Sequence, residues 1–235
     1  MARSGAGQAQ PIEDYEPSTG GVVYLRGLSR WQAEDQREDL ADLYVESSAA
    51  PVGGDEYDSR EGFLSRLAAV VGVPGFDMMI AEATVSGEAS VLVGAAFGVP
   101  VRRDGSWWQD FEGPLPQHID RLTASGHVFA VTQIVVHRHE RERGLAAHLQ
   151  HRLLDDHQSS LGVTLVSEGD VAGHAAFQSW GWQDIGIMRG TPGGTALRVL
   201  TLPMGEWSAA NPDGLAHNAD TERPREADAV DPGMR

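Results

Sequence analysis

The sequence predicts an α/β domain, one mixed sheet flanked by helices. Three observations carry this. Apolar runs of strand length alternate with stretches of helical periodicity; the runs "FDMMIAEATV" and "SVLVGAAFGVP" are separated only by "SGEA"; and "HVFAVTQIVV" leads through a glycine join into the helical pattern "GLAAHLQHRLLDDHQSS" and then the strand "GVTLVS". Alternating elements lay helices on the faces of a sheet, a short glycine turn makes an antiparallel hairpin, and the order of elements gives a sheet of mixed direction.

In chain order, "GVVYLRGL" reads as the first strand. "SRWQAEDQREDLADLYVESS" follows as one helix capped by Ser29, with Trp31, Leu40, Leu43 and Tyr44 as its apolar and aromatic positions. "DSREGFLSRLAAVVG" is a second helix, capped by Ser59, with Glu61 in its first turn. After the hairpin, residues 101–126, including "RRDGSWWQDFEGPLPQ", are aromatic, charged and irregular. That is long for a connection and reads as a disordered or functional insertion. In the next helix Leu145, Leu149 and Leu153 share one face. "DVAGHAAFQSW" is a short helix stopped by Gly181, and "WQDIGIM" and "TALRVLTLP" close the fold as a hairpin around "RGTPGG".

The length of 235 residues and 41% apolar content suit a single domain with tails. Residues 1–20 and the acidic stretch 206–235 are aperiodic and read as disordered tails around a domain at 21–205. No apolar run is long enough to span a membrane, and the first residues lack the apolar centre of a signal peptide, so a soluble, cytoplasmic protein without a membrane partner is expected. Cysteine and lysine are both absent. Disulfides, thiolate nucleophiles, Schiff bases and the P-loop lysine are thereby excluded. A net charge of -16 disfavours nucleic acid as a partner. A cationic ligand suits it better, and the plainer reading is that the acidity keeps the protein soluble.

The chemistry-bearing stretch is "VVHRHERERGLAAHLQHRLL". Arg141, Gly144 and Ala146 put small residues where a helix begins. A first helical turn presents unpaired N–H groups and the positive end of the helix dipole, so it binds an anion such as a diphosphate when side chains leave the approach clear. Arg141 and Arg143 stand ready on the rim. His137 and His139 alternate and His148 and His151 are three apart, but four ligands of a closed site are not evident and no metal is expected.

These residues resemble the acyl-CoA-binding segment of the GNAT superfamily of N-acetyltransferases, whose signature is Arg/Gln-x-x-Gly-x-Gly/Ala at the start of the helix after the central strand. Val136-His137 is similar to the Val-His-Pro that commonly ends that strand, with Arg138 in the proline place. "GVTLVSEGDVAGHAAFQSWGW" resembles the family's next strand and helix, with Asp170 in the place of an Asn and Gly181-Trp182 in that of Gly-Phe. The resemblance covers roughly Val22 to Leu202, with specific motifs between about Thr132 and Trp182.

It implies a GNAT-like, mostly antiparallel central sheet flanked by helices, with acetyl-CoA as cosubstrate. The pantetheine arm would lie along Ile134, Val135 and Val136, and the diphosphate on Arg141, Glu142, Arg143, Gly144, Leu145 and Ala146, with Asp170 and Phe177 as further coenzyme contacts. The reaction implied is direct transfer of the acetyl group to a small-molecule primary amine. Two usual groups are replaced: Phe177 holds the place of the proton-donating Tyr, and Gln133 that of a Glu on the central strand. Glu168, after the next strand, is then the first candidate for a base. For the acceptor, Tyr44 and Glu46 on the first helix, Tyr57, and Trp107, Trp108, Asp110, Phe111 and Glu112 in the insertion offer aromatic faces and carboxylates suited to a cation. Competing readings are a non-catalytic acyl-CoA-binding sensor or partner module and an enzyme acting on protein amines; monomer and homodimer both stay open.

Overall fold

Strand β2 (Val22–Leu28) sits at one side of a sheet that grows outward from it. The computed structural model describes residues 9–12, 15–17, 21–47, 59–84, 89–189 and 196–205. After β2 come α1 (Arg30–Asp35), α2 (Arg37–Ser47), α3 (Arg60–Val71) and the antiparallel strands β3 (Asp77–Thr84) and β4 (Val91–Pro100). A 3₁₀ turn (Ser106–Trp108) and α4 (Gln117–Ser125) lead to β5 (Val128–Val136). A 3₁₀ segment (Arg138–Arg143), α5 (Leu145–Asp156), β6 (Leu161–Ser167), α6 (Val171–Ser179), β7 (Gln183–Arg189) and β8 (Ala196–Pro203) complete the chain. With the two-residue β1 (Gln10–Pro11) the sheet runs β1-β2-β3-β4-β5-β6-β8-β7, and every neighbouring pair is antiparallel except β5 and β6. The mixed, mostly antiparallel sheet is as expected.

Ser29 caps α1 in a full capping box with Gln32, and Ser59 caps α3 through Gly62 N. The first helix is not continuous, however. It breaks at Gln36, which lets Ala33 of α1 and Leu40, Leu43 and Tyr44 of α2 all reach the core. The insertion is not irregular throughout either. Pro116 precedes α4 and Gly126, in the left-handed region at φ 79°, ends it, the usual start and stop for a helix.

Within the stretch expected as a disordered tail, the exposed Gln10 and Pro11 pair with Leu25 and Tyr24, and Tyr15 is buried in the core. Aperiodic sequence hid this, because a two-residue strand has no period.

Helices α2 and α3 cover one face of the sheet, with Tyr44, Phe63 and Leu67 against Ile80, Phe97 and Val135. Helix α5 covers the opposite face, with Leu145, Leu149 and Leu153 fully buried as their spacing predicts. Each such leucine contributes about 1.5–3 kcal/mol by leaving water. A third cluster gathers Trp108, Ile119, Val128, Ala130, Leu161, Val163 and Val199 under the insertion. None of the described helices is long and apolar enough to cross a membrane.

Candidate functional site

The site is built around one irregularity. Between β4 and β5 the register passes from Phe97↔Gln133 to Gly98↔Val131, which leaves Thr132 as an extra residue in β5. A bulge adds local twist and bends the strand that carries it. The consequence appears on the other side of β5, where parallel pairing with β6 covers only Val128↔Leu161, Phe129↔Gly162 and Ala130↔Val163. Beyond these the two strands have no paired residues, although Thr164 Oγ1 donates to the Val131 carbonyl at 2.9 Å. The β6-facing edge of β5 therefore lies open from the bulge to Val136.

That open edge ends at the start of α5. Gly144 is the N-cap, with φ 80° and no side-chain cap bond, and its carbonyl receives the Ala147 and His148 amides at 3.0 and 3.2 Å. A β-carbon built on Gly144 meets nothing within 4 Å. Leu145 and Ala146 are buried in the α5 core cluster, so their side chains do not stand before the first helical amides. Among the described residues the space at Gly144 is therefore open to an anion. Of the expected rim residues, Arg141 is exposed with no partner among the described residues, while Arg143 Nη1 donates to the Glu16 carbonyl at 2.6 Å. Glu142 lies in the same 3₁₀ segment.

Along β5, Val136 and the half-buried Ile134 pack toward α5, whereas Val135 packs toward α2 and α3. Gln133, half-buried opposite Phe97, falls on the Val135 side by alternation. His137 continues that series, and its Nε2 lies 3.7 Å from Glu46 Oε2 on α2, with its ring 5.1 Å from that of His139. Sequence reading treated Glu46 and His137 apart, since only the fold brings α2 to the end of β5.

Other candidates are placed elsewhere. Asp170 is occupied as the α6 cap, accepting Gly173 N at 2.8 Å, as a residue in that position should be. Phe177 is wedged against Trp180 and Trp182, with ring centroids 5.2 and 5.4 Å away, and packs on the α5 side. Glu168 is exposed at the end of β6, its carboxylate 3.9 Å from Arg198, which also binds Asp184 at 2.9 Å.

Among the described residues the expected aromatic cage for the acceptor is not assembled, because Tyr44 and Trp108 are buried in the core. Tyr44 is a core residue stacked on Phe63 at 4.8 Å. Trp108 is buried, its Nε1 donating to Thr123 Oγ1 at 3.0 Å, and Trp107 packs edge-on against it. Large aromatic rings in an irregular segment gain more from closing a core edge than from standing in water. Asp110, Phe111 and Glu112 clip onto β7: Phe111 bridges Met188, the Asp110 carbonyl receives Arg189 N at 2.9 Å, and Glu112 forms an ion pair with Arg189. Tyr57 lies outside the described residues.

Comparison with known proteins supplies the fold's relatives. A protein assigned to the GNAT family of acetyltransferases from Desulfovibrio desulfuricans superposes with a TM-score of 0.50 at 14% identity, covering 77% of this chain and 98% of that one. The GNAT domain of PAT from S. lividans gives a TM-score of 0.50 at 13% identity, over 83% of this chain and 97% of that one. No protein-family model matches the sequence, and no curated protein matches it. The likeness is one of architecture: the chain has the GNAT fold.

Proposed function

We propose that the protein is an N-acetyltransferase of the GNAT type, which transfers the acetyl group of acetyl-CoA by direct attack to a primary amine of a small molecule. One observation carries this reading: the unpaired edge of β5 runs from the Thr132 bulge straight to the start of α5, where nothing stands within 4 Å of the β-carbon position at Gly144. A strand edge offers amide partners to an extended amide chain, and a helix start offers N–H groups to a diphosphate; here the two are continuous. Pantetheine and diphosphate need that combination in that order. Ile134, Val135 and Val136 hold the first, and the turn at Gly144, Leu145 and Ala146, with Arg141 at its rim, holds the second.

In the transfer, the neutral amine nitrogen attacks the thioester carbonyl carbon, a C–N bond forms, the C–S bond breaks and coenzyme thiolate departs. The amine must lose a proton. The His137–Glu46 pair, 3.7 Å apart on the α2 side of β5, is the candidate proton acceptor in this reading, and Glu46 adds a negative charge that attracts an ammonium acceptor. Gln133 lines the same side and orients groups by hydrogen bonds without titrating. Glu168, tied to Arg198, takes second place as a base. Positioning along β5 supplies much of the rate for a reactive thioester.

The replacement of a donor hydroxyl by Phe177, enclosed by two tryptophans, favours one alternative, a coenzyme-binding sensor without turnover. Calorimetry with CoA and thiol release from acetyl-CoA across polyamines, amino sugars, arylamines and N-terminal peptides separate the two. The enzyme reading expects CoA binding and thiol release with at least one small amine. Binding with silence across the panel makes the protein a sensor, release with peptides alone makes proteins the acceptors, and absence of CoA binding sinks the whole reading.

A further inference from the structure

The residues ahead of β2 do something to the coenzyme loop that the transfer reaction itself does not require. Gln10 and Pro11 pair with Leu25 and Tyr24, and Ile12 N donates to the Val23 carbonyl at 3.0 Å, so this arm is pinned along the outer strand. It then crosses to α5. Tyr15, 8% exposed, sets its ring edge-on to His148 at 6.0 Å, and its hydroxyl donates to Glu140 Oε2 at 2.6 Å across 125 residues of sequence. One residue on, the Glu16 carbonyl accepts from Arg143 Nη1 at 2.6 Å. Two contacts from one short arm thus hold the 3₁₀ segment that delivers Gly144, at its middle and at its last residue.

Glu140 is the unusual member. It is only 1% exposed, a carboxylate buried within four residues of a helix start that is shaped for an anion. A buried carboxylate is costly unless hydrogen bonds hold it, and its charge has the same sign as a diphosphate arriving nearby. A short hydroxyl donor to a carboxylate oxygen partly offsets that charge. Burial and the neighbouring Glu140 charge push the Tyr15 ionisation up, so the hydroxyl keeps its proton and remains a donor.

We infer that Tyr15 is a positioning residue for the coenzyme: through Glu140 it fixes the diphosphate loop and offsets a buried negative charge beside it, while Glu16 anchors the end of the segment through Arg143. The inference rests on the coenzyme reading above and deepens it. Affinity for the diphosphate is then set partly by a residue remote in sequence that never touches the ligand.

The test is a calorimetric cycle with CoA on the full chain, using wild type, Tyr15→Phe, Glu140→Gln and the double variant, with thermal melts of each. Tyr15→Phe keeps the ring against His148 and removes only the hydroxyl, and is expected to weaken CoA about tenfold. Glu140→Gln removes the charge and should bind within about threefold of wild type, and the double variant should match Glu140→Gln, since without the charge the hydroxyl has nothing to offset. A general structural role would instead give losses that add. Unchanged affinity in Tyr15→Phe, or additive losses, overturns the inference while leaving the coenzyme reading intact, whereas a wild type that ignores CoA overturns both. Should Tyr15→Phe fail to fold, Glu140→Gln decides alone: a loss of tenfold or more at an unchanged melting temperature overturns the inference.

Discussion

Gly98 and Ala130 approach so closely that a β-carbon placed on Gly98 would lie 2.0 Å from the Ala130 carbonyl oxygen. The contact sits where the β4–β5 register shifts, so the missing side chain at Gly98 lets β5 bulge at Thr132 and part from β6. Gly98→Ala must push two backbones apart, with an expected loss of about 3 kcal/mol or more. Urea unfolding measures it, and a loss below about 1 kcal/mol would show that the sheet yields easily there.

Gly144 poses the opposite case. Its φ of 80° strains any side chain, while the space around it is open. Gly144→Ala should cost only about 1 kcal/mol of stability, whereas Gly144→Asp sets a carboxylate where the diphosphate approaches. CoA affinity should fall about tenfold or more in the aspartate variant. Equal affinity in both variants would remove the diphosphate from this turn.

His137→Gln should lower the rate of acetyl transfer about a hundredfold, with CoA affinity kept. Glu168→Gln should leave the rate within about twofold, because that carboxylate is exposed and engaged with Arg198. If Glu168→Gln proves the slower variant, the base lies on β6.

Trp108 separates core from pocket. Trp108→Phe loses the bond to Thr123 and should cost about 1 kcal/mol. Trp108→Ala, leaving a void beneath the insertion, should cost about 3–5 kcal/mol. The Michaelis constant for an amine should stay unchanged in Trp108→Phe; a rise would return this ring to the acceptor site.

Asp77, at the start of β3, is pushed up to about 6, first by burial and further by the charge of Asp156, against a hydrogen bond from Met78 N that favours ionisation. The folded state thus prefers the protonated acid. Below about pH 4 both folded and unfolded forms are neutral at this residue and nothing is lost. Between about pH 4 and 6 the unfolded chain ionises first and stability falls, and above that the cost is complete. Asp77→Asn should therefore stabilise the protein by about 1–2 kcal/mol near pH 7.5 and by nothing near pH 3.5. Urea midpoints at the two pH values decide it, and an equal gain at both would dismiss ionisation as the cause.

The elements carried by strong periodicity could be read from sequence: the leucine face of α5, the serine caps of α1 and α3, and the β3–β4 hairpin. The glycine start of α5 could be read as well, because Arg141, Gly144 and Ala146 are local in sequence. What could not be read depends on pairing between distant residues. Nothing local shows that Gly98 meets Ala130, that Glu46 reaches His137, or that Tyr15 finds Glu140. Helix α4 did leave a signal, Pro116 and Gly126 bracketing Ile119 and Leu122, but neighbouring tryptophans and charges masked its period. The same tryptophans suggested a ligand cage because composition does not distinguish a ring facing a cavity from one facing a core.

Both margins of the sheet are blunted by small pieces of chain. At one, a two-residue strand containing Pro11 lies outside β2; at the other, Phe111 bridges to Met188 along β7. Long, flat, bare margins are templates on which a further copy can add and fibres can grow. Here proline removes one donor and an aromatic clasp interrupts the other rail, so folded molecules offer little for end-to-end stacking. Precipitation on heating should therefore follow loss of the native state rather than polymerisation of intact molecules.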